Sequence, residues 1–279
     1  MSKRIIVGLD GSLFAEAAMD AAIDRASRCD GTIVGVAVID QPGIEHSEAG
    51  AGAGAAYFAR DIIDKKMSEA LAKTRDLLIH FADRCRTAEV KYELAREEGV
   101  PFDALVEYGR ASDMMIVGQH THFQYDTDAR PGGTVKRLMN HPVVPVLAVP
   151  EKWIAPQHVI IAYDSSIHTT RAMRAFVHQQ NIVPFAEDVT LLYIDDEDVD
   201  ANIRHELDLA EKYLRAHGLK VSRMSRKGKV GRLLVEAAQE FNPCMIVMGS
   251  SRQSWLTELL SGSVEEQLIK HSIPVFVFE

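Results

Sequence analysis

Residues 4–22 read RIIVGLDGSLFAEAAMDAA, and residues 158–176 read HVIIAYDSSIHTTRAMRAF. Each begins with a short apolar run, breaks at Asp-Gly-Ser or Asp-Ser-Ser, and continues as an Ala-rich segment with helical spacing. A short apolar run bounded by turn formers reads as a buried strand, and spacing of apolar residues by three and four reads as a helix. The same strand–turn–helix unit is therefore predicted twice, with Asp10 and Asp164 in equivalent places.

The correspondence continues in the same order along the chain. DMMIVG (113–118) answers to PCMIVMG (243–249), which pairs Gly118 with Gly249. LMNHPVVPVLAV (138–149) answers to LIKHSIPVFVF (268–278), which pairs His141 with His271 and Pro145 with Pro274. Self-similarity held in register marks a duplication. The expected domains are residues 1–150 and 156–279, joined at PEKWIAPQ (150–157), where two prolines and the lack of a helical period suit a linker. The first half is longer. Its surplus falls in QPGIEHSEAGAGAGAAYFARD (41–61), whose Gly/Ala-rich part is expected as a low-complexity loop. A lid over the first-half site is the sharper alternative.

In the first half the pattern predicts strands at 3–9, 32–39, 89–96, 113–117 and 144–149. Helices are predicted at 13–28, 56–86, 101–110 and 133–140. In the long helix Ile63, Met67, Ala70, Leu71, Leu77, Leu78 and Phe81 follow the 3.6-residue period. The second half repeats this order with shorter connections. Strand–helix alternation implies an α/β fold with parallel sheets covered by helices on both faces. In such sheets ligands bind beyond the carboxyl ends of strands, at the point where strand order reverses. Asp10, Asp164, Gly118 and Gly249 are all expected at such ends.

Composition narrows the field. The 279 residues are 47% hydrophobic and 25% charged, as in ordinary globular proteins. No apolar run approaches the roughly 20 residues that span a bilayer. MSKRIIVGLDGS reads as a first strand and not as a signal peptide, because Gly8, Asp10 and Gly11 interrupt its apolar run. A net charge of −9 argues against nucleic-acid binding, which needs cations for phosphates. Cys29, Cys85 and Cys244 are scattered and lack C-x-x-C spacing, so reduced thiols in a cytoplasmic protein are expected.

CMIVMG ends at Gly249, and Gly262-Ser263 opens the helical pattern VEEQLIKH. A glycine at a strand end permits a tight turn and close approach of a ligand. The start of a helix offers free N–H groups and a positive dipole end. A turn and a cap are the plain reading; an anion cradle is the sharper one. The chain has no G-K-[ST], so this is not a P-loop, and it has no G-x-G-x-x-G after the first strand.

On these residues the chain resembles a tandem universal stress protein, over nearly its whole length and in two copies. The marks are VGLDGS and IAYDSS, MIVG and MIVMG, and the closing HPVVPVLAV and HSIPVFVF. The resemblance implies two Rossmann-like domains of the adenine nucleotide alpha hydrolase-like type. Each would have a five-stranded parallel sheet and an added final strand through which the two domains pair. It also implies a cytoplasmic stress-response protein that binds ATP or AMP, with Mg2+ as a companion ion, chiefly in the second half, as a sensor or regulator. ATP-binding members carry G-x2-G-x9-G-[ST] after the fourth strand. Here Gly249, Gly262 and Ser263 fit, and Arg252 replaces the middle glycine. In the first half Thr121 stands at that position, and Gly132-Gly133 take the places of Gly262-Ser263. The adenosine site of the family carries over to Asp164, Ser165, Ile194, Gly249, Gly262, Ser263 and Val264, and to Asp10, Val38 and Gly118 in the first half. For both aspartates, capping of the next helix is the plainer role.

Other readings stay open. The chain could be an interaction module of the same family without nucleotide; a chain-to-chain dimer is a further expectation. It could be an enzyme using a strand-end aspartate with a metal, although no base for even slow ATP hydrolysis is visible. It could bind a metal or an apolar ligand through QHTHFQYDTD (119–128), where His120, His122, Asp126 and Asp128 crowd together; a solvated loop is the plainer reading there. DDEDVD (195–200) lacks the glycine and late glutamate of a calcium loop. His141 and His271 follow the last helix of each half, where an imidazole suits the helix C-terminus.

Overall fold

The computed structural model describes residues 3–47, 56–123, 133–194, 201–250 and 262–279. The chain divides into two compact units, Met1–Leu138 and Met139–Glu279. The first contains β1 (Arg4–Leu9), α1 (Leu13–Cys29), β2 (Thr32–Ile39), α2 (Gln41–Ser47), α3 (Ala56–Thr87), β3 (Lys91–Glu98), α4 (Pro101–Gly109) and β4 (Met114–Gly118). Helix α5 (Gly133–Asn140) straddles the division. The second contains β5 (Val146–Val149), β6 (His158–Ala162), α6 (Ile167–Ile182), β7 (Asp188–Ile194), α7 (Ala201–Ala216) and β8 (Lys220–Arg226). It continues with α8 (Val230–Glu240), β9 (Cys244–Gly249), α9 (Gly262–Lys270) and β10 (Val275–Phe278).

The strands of the first unit run parallel in the order β3-β2-β1-β4. Those of the second run β5-β10-β9-β6-β7-β8 and are parallel except for β5, which is antiparallel to β10. Strand β5 closes the first repeat in sequence, yet Val146, Leu147 and Ala148 pair with Val277, Phe276 and Val275. That pairing explains why the compact units part earlier than the repeats do. Strands β1, β4, β6 and β9 are buried almost throughout, as their unbroken apolar runs predict. Helix α1 turns Ala15, Ala18, Ala22 and Ala26 inward at helical spacing, and small side chains let it lie close to the sheet.

The stretch 41–47, to which the sequence pattern assigned no element, is helical. The carboxylate of Asp40 accepts the Gly43 N–H at 3.1 Å, and Ile44 packs with Ile39 and Ala70, against which Ile63, Met67 and Leu71 also rest. The Gly/Ala-rich part expected as a loop, 48–55, lies outside the described residues. Strand β3 starts two residues later than predicted, because Glu89 takes a left-handed turn conformation at φ 55°.

All three cysteines are free thiols. Burial pushes the Cys85 thiol up to about 11 and the Cys244 thiol up to about 12. Since the thiolate is the reactive species, a thiol reagent at pH 8 is expected to modify only Cys29 in the native protein, and all three after unfolding. Among the described residues no helix is long and apolar enough to cross a membrane.

Candidate functional site

In the second unit the strand order reverses between β6 and β9, so the crevice beyond their carboxyl ends is the place a ligand would enter. Asp164 and Ser165 leave β6 there, and Gly249 and Ser250 leave β9. Ile194 ends the adjoining β7 and is buried. The aspartate does not cap α6 itself. Ser166 does, accepting the Thr169 N–H at 3.2 Å. Asp164 braces that cap: its Oδ1 accepts the Ser166 N–H at 2.9 Å and the Thr169 hydroxyl at 2.8 Å. Its Oδ2 takes no hydrogen bond from any described residue.

Three polar atoms at this mouth are shut off from solvent without a hydrogen-bond partner among the described residues: Ser165 Oγ, Ser250 Oγ and His168 Nδ1. The nearest carboxylate to the imidazole is Glu279, at 4.0 Å. Ser165 also holds a left-handed backbone at φ 62°, where the first repeat has Gly11 at φ 78°. A serine in that conformation is strained by roughly 1–2 kcal/mol relative to glycine. A buried hydroxyl left unpaired costs about 1–3 kcal/mol more. Strain and unmet hydrogen bonds gathered at one strand-end mouth are the pattern expected where a ligand supplies the missing partners. Burial lifts the hydroxyl pKa of neighbouring Tyr163, so it stays protonated.

Gly249 has a packing reason of its own. A Cβ there would lie 2.6 Å from the His168 carbonyl carbon and 2.7 Å from the Thr169 nitrogen. The residue is glycine because the first turn of α6 presses on the end of β9. The backbone of α9 begins at Gly262, as predicted, so Gly262, Ser263 and Val264 stand at a helix N-terminus. Arg252 lies outside the described residues.

The first unit has the same frame and fills it. Asp10 and Gly118 flank the reversal between β1 and β4, and Val38 is buried near the end of β2. Ser12 caps α1, and Asp10 Oδ1 accepts both its N–H and its hydroxyl, at 2.9 and 2.6 Å. Asp10 Oδ2, however, accepts the His122 N–H at 2.6 Å. The chain beyond β4 has folded back over β1. The Thr121 N–H reaches the Gly118 carbonyl at 3.1 Å, and the Thr121 side chain is wholly buried above that glycine. His120 stacks on Phe14 with ring centroids 5.1 Å apart. Phe123, 1% exposed, drives its ring against Gly8, where a Cβ would sit 2.6 Å from Cζ. The second repeat has Ala162 in place of Gly8, so no ring could take the same seat there.

The histidine pair is used in this fold-back: His122 Nδ1 lies 3.0 Å from the His120 carbonyl. Among the described residues no group of three or more His, Cys, Asp or Glu is placed to hold a metal ion. Asp126, Asp128 and the run Asp195–Asp200 lie outside the described residues. His271 follows α9 and meets Gln267 Oε1 at 3.1 Å through Nε2; His141 follows α5 and is exposed. Sequence reading missed the orphaned Ser250 and His168 and the plug by Phe123. The one available signal was the mismatch of Gly8 with Ala162 and of Gly11 with Ser165 between otherwise similar repeats.

The profile of the universal stress protein family matches the chain twice, over residues 1–150 and 156–278. No curated protein sequence matches it. A universal stress protein from Archaeoglobus fulgidus DSM 4304 superposes with a TM-score of 0.69 at 20% identity, covering 100% of this chain and 97% of its own. One from Pseudomonas aeruginosa UCBPP-PA14 gives 0.59 at 14% identity, covering 99% and 93%. A universal stress protein solved in complex with cAMP shares 20% identity over 45% of this chain and 99% of its own, with a TM-score of 0.34.

Proposed function

The chain belongs to the universal stress protein family, and from that premise we propose that its second unit binds an adenine nucleotide, ATP or AMP, at the β6–β9 mouth. The observation that carries this is the set of buried polar atoms on Ser165, Ser250 and His168 with no hydrogen-bond partner among the described residues; in the first unit the His122 N–H takes Asp10 Oδ2, though Thr121 Oγ1 is left buried without a partner there too. Asp164 Oδ2, which takes no hydrogen bond from a described residue, would accept a ribose or amino hydrogen, or hold a companion Mg2+. The N-terminus of α9 would receive the phosphates, with Gly262 leaving room for them and Ser263 donating a hydroxyl. The protein then acts as a cytoplasmic sensor or regulator whose nucleotide state partners read. The domains of this proposal are residues 1–150 and 156–279. The pairing of β5 with β10 supports an arrangement in which each repeat's last strand shields the other's edge.

One variant tests the site on two readouts. Ser165→Gly relieves the left-handed strain, so the free protein is expected to gain about 1 kcal/mol in urea denaturation. The same change removes a hydroxyl the ligand uses, so nucleotide affinity is expected to fall roughly tenfold. Heating the purified wild type and separating the released material by anion exchange is expected to yield adenine nucleotide, no more than one per chain. Wild type that neither carries nor binds nucleotide would end the proposal.

A second reading has its own support. Gly249 is explained by the packing of α6, and Arg252 interrupts the glycine pattern. Under that reading the chain is an interaction module without nucleotide, and Ser165→Gly changes stability alone.

A further inference from the structure

A groove of about 480 Å3 opens on the flank of the first unit, lined by Arg75, Leu78 and Ile79 of α3 and Leu94 and Arg96 of β3. Its residues come from two short local patterns. Positions 75, 78 and 79 share one helix face, and positions 94 and 96 share one strand face. Strands β2 and β3 are parallel, so the helix joining them runs back against their direction. From Arg75 to Ile79 the helix descends about 6 Å; from Leu94 to Arg96 the strand climbs about 6.6 Å. Both guanidinium stems therefore stand toward the strands' carboxyl ends, and the apolar residues lie toward the other end. The groove has a cationic head and an apolar tail.

Neither part is satisfied by the protein. Arg4, Arg28, Arg84 and Arg86 of this unit each meet a carboxylate. Among the described residues Arg75 and Arg96 make no ion pair or hydrogen bond, and they line the groove unpaired. Of the three glutamates of β3, Glu93 and Glu97 point to the opposite strand face, where they meet Arg4 and the Tyr108 hydroxyl, and Glu98, on the face of Arg96, makes no ion pair with it. Ile79 and Leu94 are 47% and 50% exposed. Strand β3 ends the strand order of its unit, so no further strand of that unit covers them. Two unpaired guanidiniums in a chain of net charge −9 make a local exception to its acidic surface.

We propose that this groove binds a small anionic amphiphile: a carboxylate held between Arg75 and Arg96, with a short aliphatic chain lying over Leu78, Ile79 and Leu94. A carboxylate meets guanidinium through paired, charge-assisted hydrogen bonds, and the tail removes the exposed leucine and isoleucine surface from water. The site is separate from the strand-end mouth and does not depend on nucleotide binding.

Octanoate titrated into the 15N-labelled full chain tests this. Amide shifts are expected at residues 75–79 and 94–96. Acetate, a head without the tail, and octanol, a tail without the head, are expected to bind at least about tenfold more weakly. The double substitution Arg75→Gln/Arg96→Gln is at the surface, should leave the urea midpoint unchanged, and is expected to weaken octanoate at least about tenfold. The proposal fails if octanoate shifts no resonance in these segments, if octanol binds as well, or if the double variant binds octanoate undiminished.

Discussion

Gly249→Ala and Gly118→Ala are each expected to lose about 3 kcal/mol in urea denaturation, at the upper end of what overpacking costs. Glycine-to-alanine changes at open positions do the reverse: they stabilise by about 0.4–1 kcal/mol, because the unfolded chain loses freedom. What decides the sign is the identity of the neighbouring atoms. At Gly249 the new methyl would meet the His168 carbonyl carbon at 2.6 Å and the Thr169 nitrogen at 2.7 Å; at Gly118 it would meet the Phe14 carbonyl carbon at 2.6 Å. These are backbone atoms in the first turn of a helix, and no rotamer change can clear them. The helix must move, and with it the cap that Asp10 or Asp164 braces. Gly133→Ala is the control, since a Cβ there meets nothing within 4 Å; it is expected to be neutral or stabilising. A loss at Gly249 no larger than at Gly133 would show that α6 does not press on β9 as described.

Phe123→Ala is expected to cost about 3–5 kcal/mol, as for a fully buried aromatic side chain. The informative part is its coupling to Gly8. Gly8→Ala alone adds a methyl 2.6 Å from Phe123 Cζ and is expected to destabilise by about 1–3 kcal/mol. In the Phe123→Ala background the same methyl enters the vacated space, reproduces the alanine the second repeat carries at Ala162, and is expected to be neutral or stabilising. The double variant should thus be more stable than the sum of the singles by at least about 1 kcal/mol, well outside the additivity of independent sites. Strict additivity would mean that the ring does not sit in the mouth of the first unit.

The two glycines also separate what could be read from residues and what could not. Their places at the ends of β4 and β9 were legible, because short unbroken apolar runs closed by glycine, within an alternation of strands and helices, read as buried strands with a turn after them. Their purpose was not. Chain-local pattern could not tell whether the space beside each glycine belongs to a ligand or to a helix, since the atoms that fill it lie far away in sequence, at Phe14 and at His168 and Thr169. The same holds for the aspartates: equal in sequence, they differ in what reaches Oδ2, which is the His122 N–H at Asp10 and no described residue at Asp164.

The sequence by itself determined the duplication, the α/β class, the order of strands and helices, and the residues standing at the strand ends. Each of these rests on periodicity and turn chemistry within a few residues of the position concerned. Only the tertiary structure decided that β5 pairs with β10, that Phe123 closes the first mouth, and that hydroxyls on Ser165 and Ser250 are left unpaired at the second. Those outcomes depend on which distant segments compete for the same few cubic ångströms, and in a close-packed interior one added methyl settles that competition.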